Sequence, residues 1–137
     1  MKNLANYKIA VKSREYLIQA IFQMLFDNQQ ADKIIAQFKE EHKSKKFDLN
    51  LFSESLLSLE KNRSEIESKI KLLDIKDSSI ELIDKSILYF AINEMLYGVL
   101  DKLVVIDESL RLSKKFSSPD SYKSVSYTHL RAHETDS

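Results

Sequence analysis

This 137-residue chain has no cysteine, one glycine (Gly98) and one proline (Pro119). Without thiols there is no disulfide framework, no thiolate zinc site and no cysteine nucleophile. A single glycine cannot build a phosphate-cradling loop. Strand proteins need glycine, asparagine and proline at many turns, so their scarcity favours long helices with few connections. No apolar run approaches the ~20 residues that span a bilayer. The start, Met1-Lys2-Asn3-Leu4-Ala5, lacks the apolar core of a secretory signal, so a cytoplasmic location without membrane contact is expected. Charge of one sign is also lacking: 21 acids balance 21 bases, leaving no global field to attract nucleic acid. The length suits one domain that buries about two-thirds of its unfolded surface.

The charges are unevenly placed. Residues 1–14 hold Lys2, Lys8, Lys12 and Arg14 with no acid, and Lys43-Ser44-Lys45-Lys46 is a second basic cluster. The first reads either as a solvated arm or as a segment that meets phosphates, the second as a charged loop. Over residues 13–27, Leu17, Ile18, Ala20, Ile21, Met24 and Leu25 recur at helical spacing behind Ser13, a plausible N-cap, with Phe22 and Phe26 at the edge of that face. Residues 27–30 read as a break, and Ile34, Ile35 and Phe38 mark a short second helix. From Phe52 a seam of period 3.5 runs through Leu56, Leu59, Arg63, Ile66, Ile70 and Leu73. It describes one bent helix or two meeting near Asn62, with Ser64-x-x-Glu67 as a capping box, and favours packing within a bundle over a coiled-coil dimer.

A box Ser78-x-x-Glu81 opens a helix whose residues 80–97 are apolar nearly all round, the mark of a central helix; Asp84 is a candidate joint and Gly98 a candidate C-cap. From about Leu103 to Phe116 a further helix turns Val105, Ile106, Leu110 and Leu112 inward and Asp107, Glu108, Arg111, Lys114 and Lys115 outward. Ser118-Pro119-Asp120 has the form of a helix start, yet no periodic apolar face follows. Residues 126–137 look like translated sequencing-adapter read-through, and they hold both members of the only metal-like pair, His129 and His133. No metal, no cofactor and no catalytic constellation is therefore expected; the carboxylate pairs Glu40/Glu41 and Asp107/Glu108 read as solvated faces.

Val105-Ile106-Asp107-Glu108 through Phe116, then Asp120-Ser121-Tyr122-Lys123 and Val125, resembles the C-terminal signature of the NusB family of bacterial transcription antitermination factors. That signature runs roughly V-x-I-N-E-A-x-x-x-A-K-x-F, a linker, then D-S-x-K-F-V-N-G; after Val125 the Asn-Gly is replaced by Ser126-Tyr127. Residues 13–23 are similar to the family's first-helix pattern R-x-x-A-x-Q-A-L-Y-Q, with Arg14, Gln19, Ala20 and Phe22 matching and Leu17 in place of a small residue. Residues 84–95 are similar to its acidic-basic-A-I-L-R-x-A-x-x-E-L block, with Tyr89 in place of the arginine. Residues 48–62 match only in hydrophobic rhythm and Asn62, so the resemblance covers residues 12–125 in ordered blocks.

The resemblance implies an all-α fold of two small helical bundles packed crosswise, a single domain over residues 1–125 with a truncated last helix, and a disordered or non-native tail. It implies a non-enzymatic factor that pairs with the ribosomal protein NusE, binds the boxA element of nascent ribosomal RNA transcripts, and helps RNA polymerase resist termination. Lys8, Lys12, Arg14, Gln19, Phe22, Asp120 and Lys123 would form the RNA-binding set; Asp84 and Lys85 would face NusE. Each has a plainer reading: Arg14 as a first-turn charge, Phe22 as core edge, Asp84 and Lys85 as a helix-start pair. Some family members are thought to form a homodimer that hides the RNA face. Two other functions fit the same residues: a helical protein-interaction domain without RNA binding, and a truncated N-terminal domain of a ribosomal RNA cytosine methyltransferase.

Overall fold

The computed structural model describes residues 4–73 and 81–117, which form α1 (Leu4–Asp27), α2 (Ala31–Glu41), α3 (Leu49–Lys61), α4 (Arg63–Leu72), α5 (Leu82–Tyr97) and α6 (Lys102–Phe116). No strand occurs among these residues. Helix α5 fixes the arrangement: Ile87, Leu88, Tyr89, Phe90, Ala91 and Ile92 are all buried, because α1, α3, α4 and α6 pack around it. A helix apolar on every side must be covered on every side. Helices α1, α2 and α3 contact one another as one group, α4 and α6 gather about α5, and one continuous core joins the two. Phe52, Leu56, Leu59, Ile66 and Ile70 from the 3.5-residue seam all lie in that core, so no apolar seam remains for a coiled-coil partner.

The joint expected near Asn62 is present: α3 ends at Lys61, α4 begins at Arg63, and the Asn62 side-chain amide donates to the Ser58 carbonyl oxygen at 2.8 Å. The break after α1 is also present. Asn28 sits in the left-handed region (φ 53), which asparagine tolerates, and its Oδ1 accepts from Arg63 at 3.2 Å. Gln30 makes no side-chain cap for α2; the Ala31 N–H, which has no partner within the helix, is met instead by the Glu60 carboxylate of α3 at 2.8 Å. Asp48 and Asp101 cap α3 and α6 through Leu51 N and Leu103 N, each at 3.0 Å.

Several expectations are corrected. Ser13 is not an N-cap and the basic arm is not free of structure, for α1 begins at Leu4 and runs through both. Residues 4–12 contain no helix breaker, and the Ser13 hydroxyl is satisfied within the helix by donating to the Ile9 carbonyl at 2.7 Å. The same oxygen accepts from Asp48 N at 2.6 Å, pinning the start of α3 to α1. Ser64 lies inside α4 rather than capping it, and Glu67 turns across to α5, where it accepts from the Tyr89 hydroxyl and pairs with Lys85 at 3.2 Å. Glu81 is the extended N-cap of α5 (ψ 157), so Asp84 stands in the first turn and not at a joint. Ser78, the Ser118-Pro119-Asp120 start, Lys123 and the tail lie outside the described residues.

Ser13→Ala removes the only side-chain acceptor of the Asp48 N–H and leaves a part-buried donor unmet. The expected cost is roughly 1–2 kcal/mol of unfolding free energy by urea titration. A neutral result would show that water replaces the hydroxyl.

Candidate nucleic-acid interface

On α1, residues 8, 12, 15, 19, 22 and 26 are spaced by four and three, which brings them to one side of the helix. Lys8, Lys12 and Gln19 are exposed there, Phe22 is half-buried, and Phe26 is 70% exposed. The Phe22 and Phe26 rings stack with centroids 5.9 Å apart and planes 12° apart, presenting an aromatic step at one end of the row. At the other end Lys12 lies 5.7 Å over the Tyr16 ring, against which His42 stacks at 4.1 Å. The turn after α2, with exposed Lys43, Lys45 and Lys46, is thereby held close to the basic end of the α1 row.

One acid interrupts this row. Glu15 is buried beneath three cations: Arg111 at 2.9 Å, Lys115 at 3.6 Å and Lys12 at 3.7 Å. Glu108 of α6 takes two contacts at 2.9–3.0 Å from Arg111 and one at 3.0 Å from Arg14. Four cations thus surround two carboxylates, and the surplus is positive on the side where α1 and α6 meet. Burial alone would raise the Glu108 carboxyl, but the hydrogen bonds and charges of Arg111 and Arg14 outweigh it and hold the group below its ordinary value. The Glu108 partnership raises Arg111 in turn, against the opposing effect of burial.

The structure brings Lys8, Lys12, Gln19 and Phe22 together on one face. Arg14 is not on it. Its side chain is 13% exposed and turns toward Glu108, a quarter to a third of a helical turn away from the row. Asp84 is fully buried and accepts from the Ser117 hydroxyl, so its carboxylate ties the start of α5 to the end of α6 and presents no surface. Lys85 is part-exposed and paired with Glu67. Tyr89, where the family pattern has arginine, is buried; burial and then the Glu67 carboxylate push its phenol up. Sequence reading assigned Glu108 and Arg111 to the solvent side. Their i, i+3 spacing announced a pair, but only the docking of α6 beside Glu15 makes that pair a bridge between helices.

The NusB family model matches residues 11–125, ending where the sequence pattern breaks. Transcription antitermination protein NusB of Clostridium perfringens is 34% identical over 122 residues, covering 85% of this chain and 88% of that protein. The NusB of Coxiella burnetii is 32% identical over 115 residues (82% and 83%), and that of Tolumonas auensis 32% over 116 (83% and 84%).

Glu108 contributes stability that is fully present above its unfolded value, near 4.5, and lost as pH falls through its lower folded value. Glu108→Gln should therefore destabilise the protein by roughly 2 kcal/mol at pH 7, with the difference from the parent shrinking as pH falls through the lowered folded value. Thermal unfolding across pH 3–8 measures it; a pH-independent difference would assign the loss to packing.

Proposed function

The chain belongs to the NusB family, and from that premise we propose that it is a non-enzymatic transcription antitermination factor that binds boxA-type single-stranded RNA along α1. In this reading it acts with the ribosomal protein NusE inside an RNA polymerase antitermination complex. The observation that carries the RNA reading is the α1 row, in which Lys8, Lys12, Gln19 and the Phe22–Phe26 stack share one exposed face. Lysines there neutralise phosphates and release counterions. The Gln19 amide both donates and accepts, as a base edge requires, and an exposed phenyl ring offers a stacking platform to an unpaired base. Lys115, at the edge of the row, extends its positive side; Asp120 and Lys123, outside the described residues, stay in the proposed set.

Arg14 acts in this scheme as a positioning residue: by holding Glu108 it keeps α6 and its cations beside α1. The face proposed for NusE is formed by Lys85 and Glu67, with Asp84 fixing the start of α5 from within. No helix among the described residues is long and apolar enough to cross a membrane.

A boxA-type single-stranded RNA, followed by fluorescence anisotropy with and without NusE, tests the reading. The Lys8→Ala/Lys12→Ala double variant should bind more weakly and lower the salt slope by about 1–1.5. Phe26→Ala should lose roughly five- to a hundredfold in affinity with little change in slope. Unchanged affinity in both would remove α1 as the RNA face, and absence of RNA binding with or without NusE would leave a protein-interaction domain.

A further inference from the structure

A second surface, separate from the α1 row, is a groove of about 530 Å³ between α3 and α5. We propose that it is a docking site for a protein partner that inserts a lysine or arginine side chain flanked by apolar residues. Leu51, Glu54, Ser55 and Ser58, spaced by three and four, line the α3 wall; Phe90, Asn93, Glu94 and Tyr97, with the same spacing, line the α5 wall. The Ser58 hydroxyl donates to Asn93 Oδ1 at 3.2 Å and ties the walls together.

Glu94 defines the chemistry. Its carboxylate lies against Gly98, where an added Cβ would come within 2.4 Å of Oε1. At this extended C-cap (φ −87, ψ 177) an added Cβ would also crowd the Glu94 backbone carbonyl at 2.8 Å, an obstacle that cannot swing aside as the carboxylate can. No hydrogen bond or ion pair reaches the Glu94 carboxylate among the described residues, and Arg14, the cation that acts on it, is engaged by Glu108. Burial raises Glu94 above its ordinary value, and Arg14 offsets only part of that. Asp48 and Glu54 add charge of the same sign to the groove lining, where Arg14 is the one cation against three acids. A cationic head entering here gains a partly desolvated carboxylate, while its aliphatic stem covers Phe90 and Tyr97.

The flanks point to protein and not to RNA, whose phosphates these carboxylates repel. Of the nine exposed large hydrophobics among the described residues, five (Leu96, Tyr97, Val99, Leu103 and Val104) fall within residues 96–104, and Val99 at the groove's end is 99% exposed. So dense a run of apolar surface beside unpaired acid suits a segment that is both apolar and basic.

The test compares the pentapeptide acetyl-Leu-Val-Arg-Leu-Val-amide with its citrulline counterpart, which keeps the shape and loses the charge. Titrated into the full chain labelled for NMR, the arginine peptide should shift the Gly98 and Val99 amides and lower the Glu94 carboxyl midpoint by about one pH unit. It should bind at least fivefold more tightly than the citrulline peptide. Glu94→Gln should abolish that discrimination, and Val99→Ser should weaken both peptides alike. The wild-type carboxyl titration needs no variant to fold. Equal binding of the two peptides, no shift at Gly98 and Val99 up to millimolar peptide, or discrimination retained in Glu94→Gln overturns the proposal. So do concentration-dependent shifts at Gly98 and Val99 without peptide, which would assign the surface to a second copy of the chain.

Discussion

The contact on which the packing of α6 beside α1 depends is the Arg111 guanidinium, which grips Glu108 on its own helix and Glu15 on α1. A planar fork of donors can hold two carboxylates at once, which a lysine ammonium does with far less geometric definition. Arg14 closes the cluster from the other side of Glu108. Because both acids are largely removed from water, losing one cation leaves a carboxylate short of compensation, and that penalty, more than any net attraction, makes the cluster hold α6 in place. The row on α1 keeps a positive surplus because cations of α6 cover its one acid.

The molecule carries two surfaces of opposite character on the same small scaffold. Where α1 meets α6, every acid is outnumbered by cations and an aromatic step stands beside exposed lysines. Between α3 and α5, Asp48, Glu54 and Glu94 outnumber Arg14 in the lining of a groove with apolar surface at its end. A formal net charge of zero conceals this division, since the field near a surface depends on which charges are paired there and not on their sum.

Buried polar groups fasten the helices around α5. Tyr89 reaches Glu67 on α4, Asp84 receives Ser117 at the end of α6, and Ser13 links α1 to the first residue before α3. The Tyr89 pairing accounts for a phenol at a position where the family pattern has a cation: a hydroxyl can donate to Glu67 from a fully buried site without burying a second charge.

Much of this was written in local sequence. Hydrophobic periodicity located the helical segments apart from the first nine residues of α1, left one bent helix or two about Asn62, and marked the all-round burial of α5, because helix spacing and apolar faces are properties of neighbouring residues. The family resemblance rested on ordered short blocks and needed no coordinates. Local patterns misread what depends on distant partners. Ser13 has an N-cap's chemistry, yet its hydroxyl serves Ile9 and Asp48; Ser64 and Glu67 have a capping box's spacing, yet Glu67 answers Tyr89 and Lys85. Arg14 carries a cation's sequence signature but faces a carboxylate 94 positions away. Gly98, by contrast, caps α5 as its place in the sequence suggested, its N–H donating to the Glu94 carbonyl oxygen. Sequence alone determined which faces must be buried, since that follows from the period of the chain. Tertiary structure decided which charges are neutralised and which remain to meet a ligand, since pairing across helices is set by their packing and falls off within a few ångströms.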